Sequence, residues 1–378
     1  MKKILITGGP VHAYLDPVKI ITNRFKGGRM AELADNLGAV AQNKIWITYL
    51  TAQQACIPDG VRTTVVYHNG FEDYRKKVLE LAPKHDAVIL GAAVCNLIPI
   101  KPWKKKFPSH NYKVGDIIPI DFTIAPRVID EVKKVAPKTN LFGFKLLQGV
   151  KHKELIQAAY DIVLESGAVA VFANDANDLD TRHAVTKEGG EIKFSKDRVQ
   201  YGIEEFILNC ISDKYYSTLK TTPSFSIIDY RASEIKMCKL TKKYKSKFLK
   251  KYGKEKYRFG TIAVRLGSDN SFITTGRGKK EMDEIVIVEK VDHVRRKVYA
   301  TDKATLNAPL LHNLFKKNRN IKAIVHYHEQ SPNNVAWSAY APAGTSRDAA
   351  LANNLHPSHR VFQIEGHGTF ELLTGEEL

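Results

Sequence analysis

Three histidines and three small-residue turns are the parts of this sequence whose type and spacing can do chemistry. In Ala323-Ile324-Val325-His326-Tyr327-His328, two imidazoles occupy alternate positions at the end of an apolar run. On a strand both would face one side. A third, His367 in Glu365-Gly366-His367-Gly368, closes another apolar run. Neutral imidazoles in a three-ligand set with an open fourth position are what catalytic zinc takes. A His-X-His pair on its own is also an ordinary surface feature, and His367 is what favours the metal. Near the start of the chain, Gly8-Gly9-Pro10 directly follows Ile4–Thr7. Glycine there lets the backbone approach a phosphate, and helix N-termini bind anions; a plain tight turn also uses Gly-Gly. Asn23 precedes Lys26-Gly27-Gly28-Arg29-Met30, a polar side chain ahead of a turn that opens a helix. Gly91-Ala92-Ala93-Val94 ends a third apolar run with side chains small enough for a ligand to lie against backbone.

These turns need strands to end on and helices to start. The pattern predicts strands at Ile4–Thr7, Ile45–Leu50, Thr63–His68, Ala87–Gly91, Asn140–Leu146 and Ala168–Ala173, with helices over Met30–Leu37, Phe71–Leu81 and Lys153–Glu165. Such alternation means a doubly wound α/β sheet with ligands at the carboxyl ends of its strands. Pro99–Asp116, rich in Pro, Lys and aromatics, reads as an arm beside one strand end. Asp213–Ser226 reads as a linker. The second half is strand-rich α/β: strands at Thr261–Val264, Phe272–Thr275, Glu284–Glu289, Val298–Thr301, Ala323–His326 and Val361–Ile364, with helices near Pro309–Lys317 and Ser346–Asn354. At 378 residues two domains are expected, here 1–212 and 227–378 joined by 213–226.

The formal charge of +18 raises a nucleic-acid partner. Between Lys236 and Arg258, however, eleven basic residues and one acidic surround Leu240, Tyr244, Phe248 and Leu249 at helical spacing. That pattern predicts an amphipathic helix with a solvated lysine face, and no nucleic-acid motif accompanies it. Basic charge also suits nucleotides and sugar phosphates. No apolar run approaches twenty residues, so no membrane span is expected. The four cysteines, Cys56, Cys95, Cys210 and Cys238, are scattered like free thiols of a reducing, cytoplasmic compartment.

Taken in order, Gly8-Gly9, Asp16-Pro17-Val18-Lys19 leading to Asn23, Gly27-Gly28, Ala92-Ala93-Val94, Gly143-Phe144-Lys145-Leu146 and Ala173-Asn174-Asp175 resemble the phosphopantothenate–cysteine ligase family. The resemblance implies a Rossmann-like enzyme that activates a carboxylate with CTP or ATP, carried with magnesium, as an acyl-nucleotide and passes the acyl group to an amine. It would place Gly8, Gly9, Gly27, Gly28, Phe144, Lys145 and Asn174 on the nucleotide. Asn23, Ala92 and Ala93 would lie on the acyl substrate. Lys19 stands where the family has an Arg that reaches across a dimer, so a homo-oligomer is implied. Three positions depart from the family. Arg24-Phe25-Lys26 replaces its hydroxyl-bearing turn, Asn96 takes the place of an Asp, and Tyr160-Asp161 that of a basic pair.

The second half, about 225 to 378, resembles the class II aldolase and adducin-like family. The resemblance runs through Phe259-Gly260-Thr261, Phe272–Gly276, Asp283–Val286 and Lys322–His328. It implies zinc on His326, His328 and His367, with Thr275 and Gly276 near a substrate phosphate. Asn307 stands where that family has its acid–base Glu, and Asn cannot shuttle protons. Glu329 and His312 are the other groups able to supply a base. The function read from the sequence is therefore a nucleotide-dependent carboxylate–amine ligase joined to a zinc-binding aldolase-like domain. Two alternatives stand beside it: a zinc-dependent aldolase, epimerase or dehydratase acting on a sugar phosphate beside an inactive ligase-like half, and a non-catalytic sensor of a nucleotide or phosphate.

Overall fold

The computed structural model describes residues 1–378 except 43, 195–201, 223–224, 253–254, 259, 268, 280–281, 283 and 330–335, with backbone alone for 249–252 and 255–258. The chain forms two compact units, Met1–Lys187 with Phe194–Ile211, and Glu188–Lys193 with Ser212–Leu378.

The first unit is built on a sheet of which seven strands lie wholly within it. Six strands run parallel, in the order Thr63–Tyr67, Ile45–Thr51, Lys2–Thr7, Ala87–Leu90, Asn140–Leu147, Ala170–Asp175. Asp178–Thr186 then returns antiparallel from the last of them. Parallel strands covered on both faces read as unbroken apolar runs, and Ile4, Leu5, Ile6, Ala87, Val88 and Ile89 are all 0% exposed. By chain order the parallel strands are third, second, first, fourth, fifth, sixth. That is the doubly wound Rossmann-like arrangement, whose ligand crevice opens where the order reverses, outside the carboxyl ends of the first and fourth strands.

The second unit carries a nine-stranded sheet. Five of its strands, Ile285–Asp292, Phe272–Thr275, Thr261–Arg265, Ala323–Tyr327 and Gly368–Leu373, form the antiparallel centre. Side chains alternate across it. Ala263 and Ile324 pack with Leu310, Leu311, Leu314 and Phe315 of the helix Ala308–Lys317, and Ala352 of the helix Ser346–Asn354 lies in the same cluster. Ile262, Val264 and Val325 pack instead with Met237 and Leu240 of the helix Ile227–Lys243. His326 follows Val325, so it falls on the first of these faces.

Two expectations change. The basic helix stops at Lys243 instead of running to Arg258. Tyr244 and Phe248 are still buried, but a turn delivers them, and Leu249–Tyr252 pairs antiparallel with Glu255–Arg258. A longer helix would bring lysines 243, 247, 250, 251 and 254 one turn apart, where like charges destabilise. The segment read as a linker contains Ser217–Lys220, an edge strand parallel to Lys297–Ala300. Phe259 and Asp283, which open two of the quoted motifs, lie outside the described residues. Among the described residues no helix is long and apolar enough to cross a membrane.

Candidate functional site

The glycine pair after the first strand is fixed from both sides. Gly8 N donates to Leu50 O at 3.1 Å, and Thr51 Oγ1 donates to Gly8 O at 3.0 Å. On the other flank, Ala93 N donates to Gly9 O at 2.9 Å and Ala92 N to Thr7 Oγ1 at 3.2 Å. Gly8-Gly9 and Ala92-Ala93 therefore lie side by side at the point where the strand order reverses. Gly27 closes over them. Its φ is +83°, and a Cβ there would lie 2.3 Å from Gly9 N, so only glycine fits. The helix Gly28–Val40 starts at once with no side-chain cap on its leading N–H groups, the arrangement that receives an anion. Asn23 enters from the loop ahead, and its Nδ2 donates to Ala93 O at 3.0 Å. Thus Gly8, Gly9, Gly27, Gly28, Asn23, Ala92 and Ala93 gather into one crevice.

The other candidates of this unit are spread along its rim. Lys19 is exposed and its Nζ pairs with Asp16 of its own chain at 3.2 Å. Asp16, 1% exposed, also accepts from the backbone N–H groups of Val18, Lys19 and Phe107. Burial alone would push this carboxyl up; the three N–H groups and the ammonium outweigh it and hold the carboxyl well below the usual carboxylate range. The Asp16–Lys19 turn is thereby tied to the arm, where Trp103, Phe107 and Tyr112 pack ring on ring. Asn96 is exposed, and its carbonyl accepts from Ala125 N at 2.9 Å. Phe144 and Lys145 are half-buried at the end of the fifth strand, and the Phe144 ring lies 5.1 Å from that of Phe172. Asn174, 8% exposed at the end of the sixth, gives its Nδ2 to Thr181 O at 3.0 Å. Tyr160 is fully buried and belongs to the core. The hydroxyls of Thr7 and Thr51 escaped the sequence reading; a threonine closing a strand gives no sign of which way it will bond.

In the second unit the three histidines meet. The ligand-type nitrogens of His326, His328 and His367 all lie within 4.8 Å of one another. His326 is 0% exposed and stacks on Phe370 with centroids 4.0 Å apart. Its Nδ1 donates to Thr369 O at 2.9 Å, which leaves Nε2 as a bare lone pair, buried and with no hydrogen-bond partner among the described residues. Burial, reinforced by His367, pushes this imidazole well below its ordinary pKa, so the ring is neutral. His328 Nδ1 is held by the main-chain carbonyl of Glu188. Each of these two rings thus has one nitrogen fixed by a carbonyl, the orientation that metal-binding histidines use. Gly368 closes the corner: its φ is +135°, and a Cβ would meet Tyr327 O at 2.3 Å.

Thr261 faces His326 across the sheet, and its hydroxyl bonds Thr305 Oγ1 at 3.0 Å. Gly276 bridges Ala304, the next residue back. Thr275 Oγ1 and Asn307 Oδ1 are buried without partners among the described residues. His312 is engaged elsewhere, in a relay from Tyr216 OH to His293 Nδ1 at 2.7 Å and from His293 Nε2 to His312 Nδ1 at 3.1 Å. Glu329 is exposed, and its carbonyl accepts from Thr369 Oγ1 at 2.7 Å. Lys279 also escaped the sequence reading. Its Nζ donates to Gly260 O at 2.7 Å, burial pushes it down to about 8, and its charge acts on His326.

A model of the family described as DNA/pantothenate metabolism flavoprotein C-terminal domain matches residues 1–201. Among curated proteins, the coenzyme A biosynthesis bifunctional protein CoaBC of Thermococcus kodakarensis is 29% identical over 177 residues, 46% of this chain and 41% of its own. This chain therefore spans less than half the length of that relative. Among solved structures, the DNA/pantothenate metabolism flavoprotein of Streptococcus pneumoniae is similar at 21% identity and a TM-score of 0.47, over 55% of this chain and 97% of that one. YgbL of Escherichia coli, a candidate aldolase/epimerase/decarboxylase, is similar at 16% identity and a TM-score of 0.31, over 40% of this chain and 82% of that one.

Proposed function

The chain belongs to the DNA/pantothenate metabolism flavoprotein C-terminal domain family, and we propose that its first unit is a nucleotide-dependent carboxylate–amine ligase of the phosphopantothenate–cysteine kind. The observation that carries this reading is the crevice at the strand-order reversal, where Asn23 is bonded to Ala93 and Gly27 is packed on Gly9. A substrate carboxylate oxygen attacks the α-phosphorus of CTP or ATP, pyrophosphate leaves, and an acyl-nucleotide remains. The amine nitrogen then attacks the acyl carbon, the carbon–oxygen bond to the phosphate breaks, and the nucleoside monophosphate departs with the electron pair. The amine proton passes to water. In this reading the backbone N–H groups at Gly9 and Gly28 hold phosphate oxygens, Phe144, Lys145 and Asn174 line the nucleotide, and magnesium arrives with the triphosphate. Asn23, beside Ala92 and Ala93, orients the acyl group. Lys19 reaches a partner's site in a homo-oligomer. Fixed donors aimed at developing charge are worth most in a site closed to water. Calorimetry with CTP and ATP, with and without magnesium, tests the reading. Binding of one of them is expected, and no heat with either contradicts it.

The orphaned Nε2 of His326 favours a second reading for the other unit: we propose that His326, His328 and His367 hold one zinc ion. The residues fit it, as three imidazoles with two of the rings pinned by carbonyls. Zinc bound there would supply a Lewis acid with an open position. Thr275 and Gly276 would receive a substrate phosphate, while Asn307 offers a hydrogen bond and no proton transfer. Metal analysis of protein grown with zinc, without a histidine tag, tests this, and about one equivalent is expected. Shifts in melting temperature with nucleotide or phosphate, but no turnover in either unit, would favour a sensor instead.

A further inference from the structure

The second unit takes in a short segment that stands ahead of the rest of it in the chain, Glu188–Lys193. Its first three residues, Glu188-Gly189-Gly190, form a turn against the histidine cluster. The Glu188 carbonyl accepts from His328 Nδ1. A carbonyl oxygen only accepts, so Nδ1 carries the proton and Nε2 of the neutral ring keeps its lone pair. Gly190 packs on the corner that presents the third imidazole. A Cβ on it would lie 2.2 Å from both the carbonyl carbon and the oxygen of Gly366, whose peptide leads into His367. One turn therefore bears on two of the three candidate ligands.

The Glu188 side chain is what fixes the turn. Glu188 is 6% exposed. Its Oε2 accepts from Tyr340 OH at 2.7 Å and its Oε1 from Ala343 N at 3.2 Å. Burying a carboxyl is costly unless donors meet it, so these two bonds specify where Glu188 sits. The loop that supplies them is itself held. Tyr340, Ala341, Ala343 and Thr345 are buried. The Thr345 hydroxyl donates to Pro342 O at 2.8 Å and accepts from Asp348 N at 3.2 Å, at the start of the helix Ser346–Asn354. Helix, loop, carboxyl, carbonyl and imidazole thus form one continuous run of contacts. A buried carboxyl near a metal centre can also move protons. Here each oxygen accepts from a donor of the same unit, which is the arrangement of an anchor.

We propose that Glu188 is a positioning residue of the zinc centre. Its carboxyl anchors the turn, its main-chain carbonyl sets the tautomer and direction of His328, and Gly190 seats the corner that carries His367. The inference rests on the zinc reading for the identity of the ion, and on the contacts themselves for the role of the turn. It makes the centre larger than its three ligands, and larger than the stretch 227–378 in which the sequence shows them. Partners of this kind fix ring orientation and raise ligand basicity. Glu188 takes no part in bonds that form or break.

The experiment uses the full chain and zinc alone, with affinity read by competition against a coloured chelator. Glu188→Ala is expected to bind zinc about 10–100-fold more weakly than wild type. Glu188→Gln, which keeps one acceptor oxygen, is expected to fall between the two. Wild-type affinity in Glu188→Ala overturns the proposal, even where the metal-free protein melts earlier, since that pattern belongs to a residue that only stabilises the fold. If circular dichroism shows Glu188→Ala unfolded, Tyr340→Phe carries the same test by removing one of the two anchoring bonds. Weaker zinc binding is expected there, and wild-type affinity overturns the proposal. If wild-type protein takes up no zinc, the zinc reading fails separately. The turn is then read in the metal-free chain by long-range nitrogen–proton NMR of the histidine rings, above their titration range. His328 is expected to carry its proton on Nδ1 in wild type and to lose that preference in Glu188→Ala. A wild-type His328 protonated on Nε2, or the same Nδ1 form in both proteins, overturns the proposal.

Discussion

The side-chain amide of Asn23 donates to the main-chain carbonyl of Ala93 at 3.0 Å, joining the loop ahead of the first helix to the end of the fourth strand. In the proposed ligase this contact stands where the acyl group is held, so Asn23→Ala should separate two things the enzyme does. Nucleotide affinity should change by less than about threefold, while amide formation should fall about a hundredfold, the scale of one lost donor at a developing oxyanion. Calorimetry and product mass analysis on the same protein check both. Equal losses in the two would show that the loop had collapsed.

Gly27→Ala should strike binding and stability together. The left-handed conformation costs a residue with a Cβ about 1–2 kcal/mol, and here the added carbon would also press on Gly9 N. Urea denaturation should give a loss of at least about 2 kcal/mol, with no measurable heat on adding nucleotide. A variant as stable as wild type would mean that Gly27 does not lie over Gly9.

Asp16 gives a pH signature. Its carboxyl is held below its unfolded value, near 3.9, so the stabilisation it brings is fully present above that value and is lost as pH falls through the lower, folded one. Thermal melts should therefore show wild type above Asp16→Asn at pH 6, with the gap narrowing steadily below pH 4. A gap that widens on acidification would place the shift in the opposite direction.

Much of this architecture is legible in the sequence, for physical reasons that differ by residue. Ile4-Leu5-Ile6 and Ala87-Val88-Ile89 announce strands buried on both faces because no polar residue interrupts them. His326 and His328 announce a shared side through the period of two, and His367, marked by its place at the end of another apolar run, meets them from a neighbouring turn. Phe248 misled: it is buried at a helical interval from Leu240 and Tyr244, and periodicity alone cannot tell a continuing helix from a turn that returns to the same core. Ser217–Lys220 has no strong strand signal, since an edge strand is specified mainly by the backbone of its neighbour. Glu188 stands 140 residues ahead of His328 in the chain, and packing alone brings its carbonyl to that ring.

For the second unit, His326→Ala should cut bound zinc from about one equivalent to less than about a tenth, because one ligand of three is lost. Chelation of the wild type should lower its melting temperature; metal at a hundredfold over its dissociation constant contributes about 2.7 kcal/mol. Elemental analysis and calorimetric melting check the two. With zinc bound, Asn307→Glu should raise cleavage of a ketose phosphate, general acid–base catalysis being worth about 10²–10⁴-fold.

Pyrophosphate release is the sharpest test of whether the first unit joins a carboxylate to an amine through an acyl-nucleotide. With phosphopantothenate and CTP or ATP but no amine, one rapid equivalent of pyrophosphate per active site is expected. Adding cysteine should convert this burst to continuous turnover, with an amide of the expected mass. Nucleotide that binds at the crevice yet releases no pyrophosphate with the acid, with or without cysteine, would contradict it.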